Sequence, residues 1–147
     1  MHIVGHALVW HNQLADFMKT TESPDEFINH VENHIGTVVS RYKGKIDAWD
    51  VVNEAFNEDG SLRPSVFKKQ MGDNYIEDVF KLAETADPDA DLIYNDYNLY
   101  KPAKLAGVLK MVKSLQANGT KINAIGAQAH WSLKSPSLNE IEQIILD

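Results

Sequence analysis

Four times along this chain a short apolar run stops abruptly in a cluster of polar and aromatic side chains. Each time a stretch of helical periodicity follows. The runs are residues 3–10, 46–52, 92–94 and 122–127. Short, nearly continuous apolar runs of this kind read as strands buried in a parallel sheet. His11, Asn12 and Gln13 end the first run, and Asn53 and Glu54 the second. Asn95, Asp96, Tyr97 and Asn98 end the third, and Gln128, Ala129, His130 and Trp131 the fourth. Strands alternating with helices make a βα series, and in such α/β folds ligands bind at the carboxyl ends of the strands, where the polar clusters fall. A doubly wound sheet and part of a TIM (β/α)8 barrel both fit this order. No glycine-rich phosphate loop follows the first run, which favours the barrel.

The helices carry their own punctuation. Ser23-Pro24-Asp25-Glu26 combines an N-cap serine, a proline at the first helical position and a glutamate three residues past the cap. Phe27, Ile28, Val31, Ile35, Val38, Val39 and Tyr42 then recur at spacings of three and four, with Gly44 as the stop. The stretch before Ser23 reads as a polar loop. Val66 and Phe67 suggest a short helical turn. Tyr75, Ile76, Val79, Phe80, Ala83 and Ala86 form a helix that ends before Asp87-Pro88. Leu105, Val108, Leu109, Val112 and Leu115 give another, begun near Pro102 and closed by Gly119. Ser135-Pro136 opens the last, with Leu138, Ile141, Ile144 and Ile145 on its apolar face and Asp147 still inside it. A chain that opens in a buried strand and stops in a helix is expected to be a fragment: residues 1–147 read as an incomplete barrel domain of about four βα units, with two unpaired strand edges.

Charge narrows the partners. The chain has 14 basic and 21 acidic residues and a net charge of −7, without a basic cluster. A nucleic-acid surface needs concentrated Lys and Arg, so a neutral substrate fits better. With no cysteine there is neither a disulfide framework nor a thiolate metal site. No stretch has the roughly 18 to 20 consecutive apolar residues that a membrane-spanning helix requires, so no membrane partner is expected.

The strand-end residues suggest chemistry. A carboxyl at the end of a buried strand, such as Glu54, can be partly desolvated and hold a proton for donation, although a lone glutamate there could equally begin a surface loop. Asn53 beside it offers an amide to a sugar hydroxyl. His6 and Trp10 are four apart in one strand and should share a face, where an indole can stack on a sugar ring while the imidazole and Gln13 bond hydroxyls. Gln128 and His130 are two apart and should likewise share a face. Tyr97, Asn95 and Asn98 can supply further hydroxyl-binding groups, the asparagines having an ordinary turn as the alternative. Trp131 either lines a cleft or packs.

Gly5-His6-Ala7-Leu8-Val9-Trp10-His11-Asn12-Gln13, Trp49-Asp50-Val51-Val52-Asn53-Glu54-Ala55, Asn95-Asp96-Tyr97-Asn98 and Ile125-Gly126-Ala127-Gln128-Ala129-His130 together resemble, in order and spacing, the third to sixth strand motifs of the family 10 xylanases. The resemblance implies a (β/α)8 barrel that cleaves internal β-1,4 bonds of xylan with retention of anomeric configuration and with no metal or organic cofactor. It makes Glu54 the general acid/base and gives His6, Trp10, Gln13 and Asn53 to the xylose on the glycone side of the cut. It has Gln128 and His130 flank and orient the nucleophile. It further implies xylan and xylo-oligosaccharides as partners, and a full-length parent that is monomeric and secreted or periplasmic.

One part of that pattern is missing. The family's nucleophile is a glutamate in a Thr-Glu-Leu-Asp type of motif on the seventh strand, and nothing here matches it. Glu140 and Glu142 are the only glutamates after His130, and both sit in a helical pattern. Retaining hydrolysis needs two carboxyls roughly 5 to 5.5 Å apart, so the isolated chain is expected to be inactive or nearly so. Two other readings stand beside this one: a degenerate barrel fragment that binds carbohydrate without catalysis, and a metal-dependent barrel hydrolase using His6, His11 and His130.

Overall fold

A computed structural model describes residues 1–146. Among them the strands β1 (Val4–Trp10), β2 (Ala48–Asn53), β3 (Asp91–Asp96) and β4 (Ala124–Ala127) form one parallel sheet in chain order. The helices are α1 (Asp16–Thr20), α2 (Pro24–Tyr42), α3 (Val66–Met71), α4 (Tyr75–Ala86), α5 (Pro102–Ala117) and α6 (Leu138–Leu146). Parallel neighbours need a crossover, and a helix supplies each one.

The core lies between the sheet and α2 and α4. Phe27, Val31, Ile35 and Val39 of α2 are buried, as are Ile76, Val79, Phe80 and Ala83 of α4, and all six residues of β2. Each large apolar side chain so buried stabilises the fold by about 1.5–3 kcal/mol. Local signals set where α2 begins and ends. The Ser23 side chain accepts from Glu26 N at 3.4 Å, Pro24 occupies the first turn, and Gly44 takes φ +71° after it.

Pairing carries the site. Register sets Trp10 opposite Asn53, Asn53 opposite Asn95, and Asn95 opposite Gly126, a single rung across the sheet just below the strand exits. At or just past each exit a non-glycine residue adopts the left-handed backbone: Gln13 (φ 54°), Glu54 (φ 59°), Asn98 (φ 55°) and Ala129 (φ 52°). Such residues cost roughly 1–3 kcal/mol and cluster where a chain must turn sharply near a site.

Several boundaries differ from the sequence expectation. The stretch read as a polar loop contains α1, a short helix fastened by buried Met18 and by the Thr20 and Thr21 hydroxyls on its own carbonyls. It is too short for periodicity to show. β2 starts at Ala48 because Ile46 N still bonds Tyr42 O at the end of α2. β4 starts at Ala124, with Asn123 Oδ1 accepting from Leu92 N in place of a ladder carbonyl. The last helix opens on Ser137 and not on Ser135-Pro136: Glu140 N donates to Ser137 Oγ at 3.3 Å, while the Glu140 carboxylate accepts from Ser137 N at 2.7 Å. That reciprocal pair is a capping box. The expectation that this helix includes Asp147 lies outside the described residues.

Candidate active site

Glu54 stands at the exit of β2 with its carboxyl held by both oxygens. Trp10 Nε1, from β1, donates to Oε2 at 2.9 Å, and Gln128 Nε2, from the β4 exit, donates to Oε1 at 3.1 Å. Strand order brings them together, since residues 44 and 74 positions away in sequence occupy neighbouring exits of one sheet. No Lys, Arg or His nitrogen pairs with this carboxyl among the described residues.

Asn53 is buried beneath. Its Oδ1 accepts from Asn95 Nδ2 and from Gln128 Nε2, both at 3.0 Å. With the oxygen doubly occupied, the amide nitrogen is the end left to meet a hydroxyl. His6 and Trp10 do share a face, their ring centroids 6.0 Å apart, and His6 Nδ1 bonds Asp50 Oδ2 at 2.8 Å. His6, Trp10 and Gln13 line one cavity of about 380 Å³ between β1, α1 and α2, although Gln13 makes no bond to the Glu54 cluster.

His130 does not join the cluster. Ala129 turns the backbone at φ 52°, so the alternation that would put Gln128 and His130 on one face ends between them, and the His130 side chain is exposed and without a hydrogen bond among the described residues. Trp131 is 39% exposed. Tyr97 lies beside the cleft with its hydroxyl accepting from Arg63 Nη2 at 3.2 Å and Lys104 Nζ 3.7 Å from its ring centre. His11, next to Trp10, is held below its usual value, first by partial burial and then by the Arg63 guanidinium, against Glu54 and Asp96, which raise it. It is therefore a neutral ring at neutral pH.

Sequence reasoning missed a buried layer behind Glu54. Tyr94 Oη accepts from Ala55 N at 3.0 Å and donates to Asp96 Oδ2 at 2.5 Å. Burial, and then the Asp96 charge, push the Tyr94 phenol well above its usual value, so it stays a donor. Asp96 Oδ1 pairs with Lys104 Nζ at 2.9 Å, and Arg63 donates to the carbonyls of Glu54 and Phe56. The strand-end position of Asp96 was a signal for it; nothing in the sequence marks Arg63 or Lys104.

The metal-dependent reading finds no support in this arrangement. His6 is engaged by Asp50, and among the described residues no three His, Cys, Asp or Glu side chains converge as a metal set would. What the arrangement can do is hold a carboxyl in a fixed place against a wall of amide and indole donors, a setting that suits a polyhydroxylated neutral ligand.

The family model for glycosyl hydrolase family 10 matches residues 1–147. An endo-1,4-beta-xylanase of Geobacillus stearothermophilus is 45% identical over an alignment of 148 positions that covers 96% of this chain and 45% of that protein. Endo-1,4-beta-xylanase A of Humicola insolens is 50% identical over 127 residues, covering 85% of this chain and 34% of the relative. Xylanase 10B from Thermotoga petrophila RKU-1, solved in complex with xylobiose, superposes with a TM-score of 0.94 at 41% identity over 99% of this chain and 45% of its own. The chain thus spans less than half the length of these relatives, and its parallel sheet corresponds to part of their TIM barrel. Matched along its whole length by the family model and superposing on a solved xylanase, the chain belongs to glycosyl hydrolase family 10.

Proposed function

We propose that the parent protein is a retaining endo-1,4-β-xylanase in which Glu54 is the general acid/base. The observation that carries this reading is the Glu54 carboxyl at the β2 exit, held by Trp10 and Gln128 with no cationic side chain paired to it among the described residues. In the first step Glu54 gives its proton to the glycosidic oxygen as the bond from that oxygen to the anomeric carbon breaks. A carboxylate from a part of the barrel outside this chain attacks that carbon and forms an ester. In the second step Glu54 takes a proton from water, the water oxygen attacks the anomeric carbon, and the ester bond breaks. His6, Trp10, Gln13, Asn53 and Tyr97 contact the sugar, with Gln128 and His130 on the side from which the nucleophile comes. The parent is secreted or periplasmic, because polymeric xylan cannot cross a membrane, and it acts as a monomer.

The test is Glu54→Gln in the full-length protein. The expected result is a fall in kcat on xylan of about 10²- to 10⁴-fold, with the first-formed product of the wild type retaining its anomeric configuration by NMR. Binding of xylo-oligosaccharide without turnover by the wild type would instead favour a degenerate, carbohydrate-binding barrel.

A further inference from the structure

The backbone at Glu54 is strained and closely held, and one residue, Arg63, supplies three of the five hydrogen bonds that hold it, two of them from its side chain. Glu54 N donates to Asn95 O at 2.9 Å and Ala55 N to Tyr94 Oη at 3.0 Å. The next three carbonyls all go to Arg63: Glu54 O accepts from Nε at 3.0 Å, Ala55 O from the backbone N at 2.7 Å, and Phe56 O from Nη2 at 3.1 Å. A non-glycine residue at φ 59° persists only where its surroundings over-determine it. The guanidinium suits that task because its donors form a rigid planar fork that can span two carbonyls. Nη2 also donates to Tyr97 Oη at 3.2 Å, tying the same fork to the cleft wall.

Trp10 and Gln128 grip the far end of the Glu54 side chain, but both are themselves side chains that can follow it. The near end is fixed only through the backbone. If φ at Glu54 relaxes, the Cα–Cβ bond swings and the carboxyl moves with it. A displacement of about 1 Å can lower a reaction rate on the order of 100-fold.

We propose that Arg63 is a positioning residue for proton transfer: by clamping the carbonyls of residues 54 and 56 with its guanidinium, beside the bond from its own backbone N–H to Ala55 O, it holds the left-handed turn that aims the Glu54 carboxyl at the leaving oxygen. This rests on Glu54 being the acid/base.

The experiment uses the full-length enzyme, wild type and Arg63→Met, Arg63→Lys, Tyr94→Phe and Glu54→Gln, on two substrates. Xylotetraose has a poor leaving group and needs a proton. Dinitrophenyl xylobioside does not, and its bond-cleaving step is read from the burst of dinitrophenol. Arg63→Met is expected to lower kcat on xylotetraose on the order of 10- to 100-fold, with little change in KM and a burst rate within about threefold of wild type. Arg63→Lys, able to reach one carbonyl at a time, and Tyr94→Phe, which frees Ala55 N, are expected to show the same split with smaller losses. Equal losses on both substrates, or no loss on xylotetraose, would overturn the proposal. If Arg63→Met does not fold, the lysine and phenylalanine variants decide. Glu54→Gln separates the two levels of the argument. If it lacks the leaving-group dependence, Glu54 is not the acid; if it shows the dependence and the Arg63 variants do not, only the role of Arg63 falls.

Discussion

A lysine and an aspartate with no exposed side-chain surface stand behind the Glu54 carboxyl, Lys104 Nζ 2.9 Å from Asp96 Oδ1. Two charges removed from water are tolerable because each has more than one partner. Asp96 also accepts from Tyr94 Oη and Tyr97 N, and Lys104 faces Glu58 at 3.4 Å and the Tyr97 ring. Partial burial would raise the Glu58 carboxyl, but Lys101, Lys104 and Asn98 together outweigh it and keep it below the usual carboxylate range. Lys104→Met leaves Asp96 buried without its cation and is expected to cost about 3–5 kcal/mol, read by urea denaturation of the full-length protein. Adding Asp96→Asn should recover part of that loss; a cost below about 1 kcal/mol for the single change would show that the pair is not what holds this layer. Helical periodicity assigned the inward face of α5 to leucines and valines and had no means of placing a lysine there. The reason is that the compensating charge comes from another strand end and is visible only in three dimensions. Glu54, Asn53, Trp10 and Gln128 were legible for the opposite reason: Trp10 ends an apolar run and the other three stand in the first two positions after one, so a strand exit and a polar group coincide in the sequence itself.

Among the elements, the sheet aligns these groups through one rung. Asn95 can bond Asn53 because its neighbour on β4 is Gly126, where a Cβ would lie 2.5 Å from Asn95 Oδ1. Gly126→Ala is therefore expected to push the Asn95 amide off Asn53 and release one of the two donors that orient it. The expected outcome is destabilisation of about 1–3 kcal/mol in a denaturant titration, together with a fall in kcat/KM on xylotetraose; unchanged values for both would mean that Asn95 does not set the orientation of Asn53. The four strands and the longer helices follow from apolar runs and caps, which act locally. Their edges moved for tertiary reasons, as where Asn123 replaces a ladder carbonyl of β4 with its own side chain. The turn between Gln128 and His130 was also out of reach, because an alanine at φ 52° carries no compositional mark.

For the molecule as a whole, the sheet has open sides at β1 and β4, and apolar groups such as Val4 near one edge and Leu138 and Ile145 beyond the other are exposed. On the proposed reading this chain supplies one of the two carboxyls that a double displacement requires, and Glu140 is engaged in capping α6. The isolated chain is accordingly expected to release no reducing sugar from xylan above background. Turnover that disappears in Glu54→Gln would mean that a second carboxylate reaches the anomeric carbon from within these residues. The left-handed turn at Glu54 carries a longer-range consequence. Glycine is the residue that would adopt that turn without strain, so selection for heat resistance alone would press this position toward glycine and erase the proposed proton donor in the same step. Toughness and reactivity compete here for a single codon, and a lineage evolving under heat must find its gains at other positions.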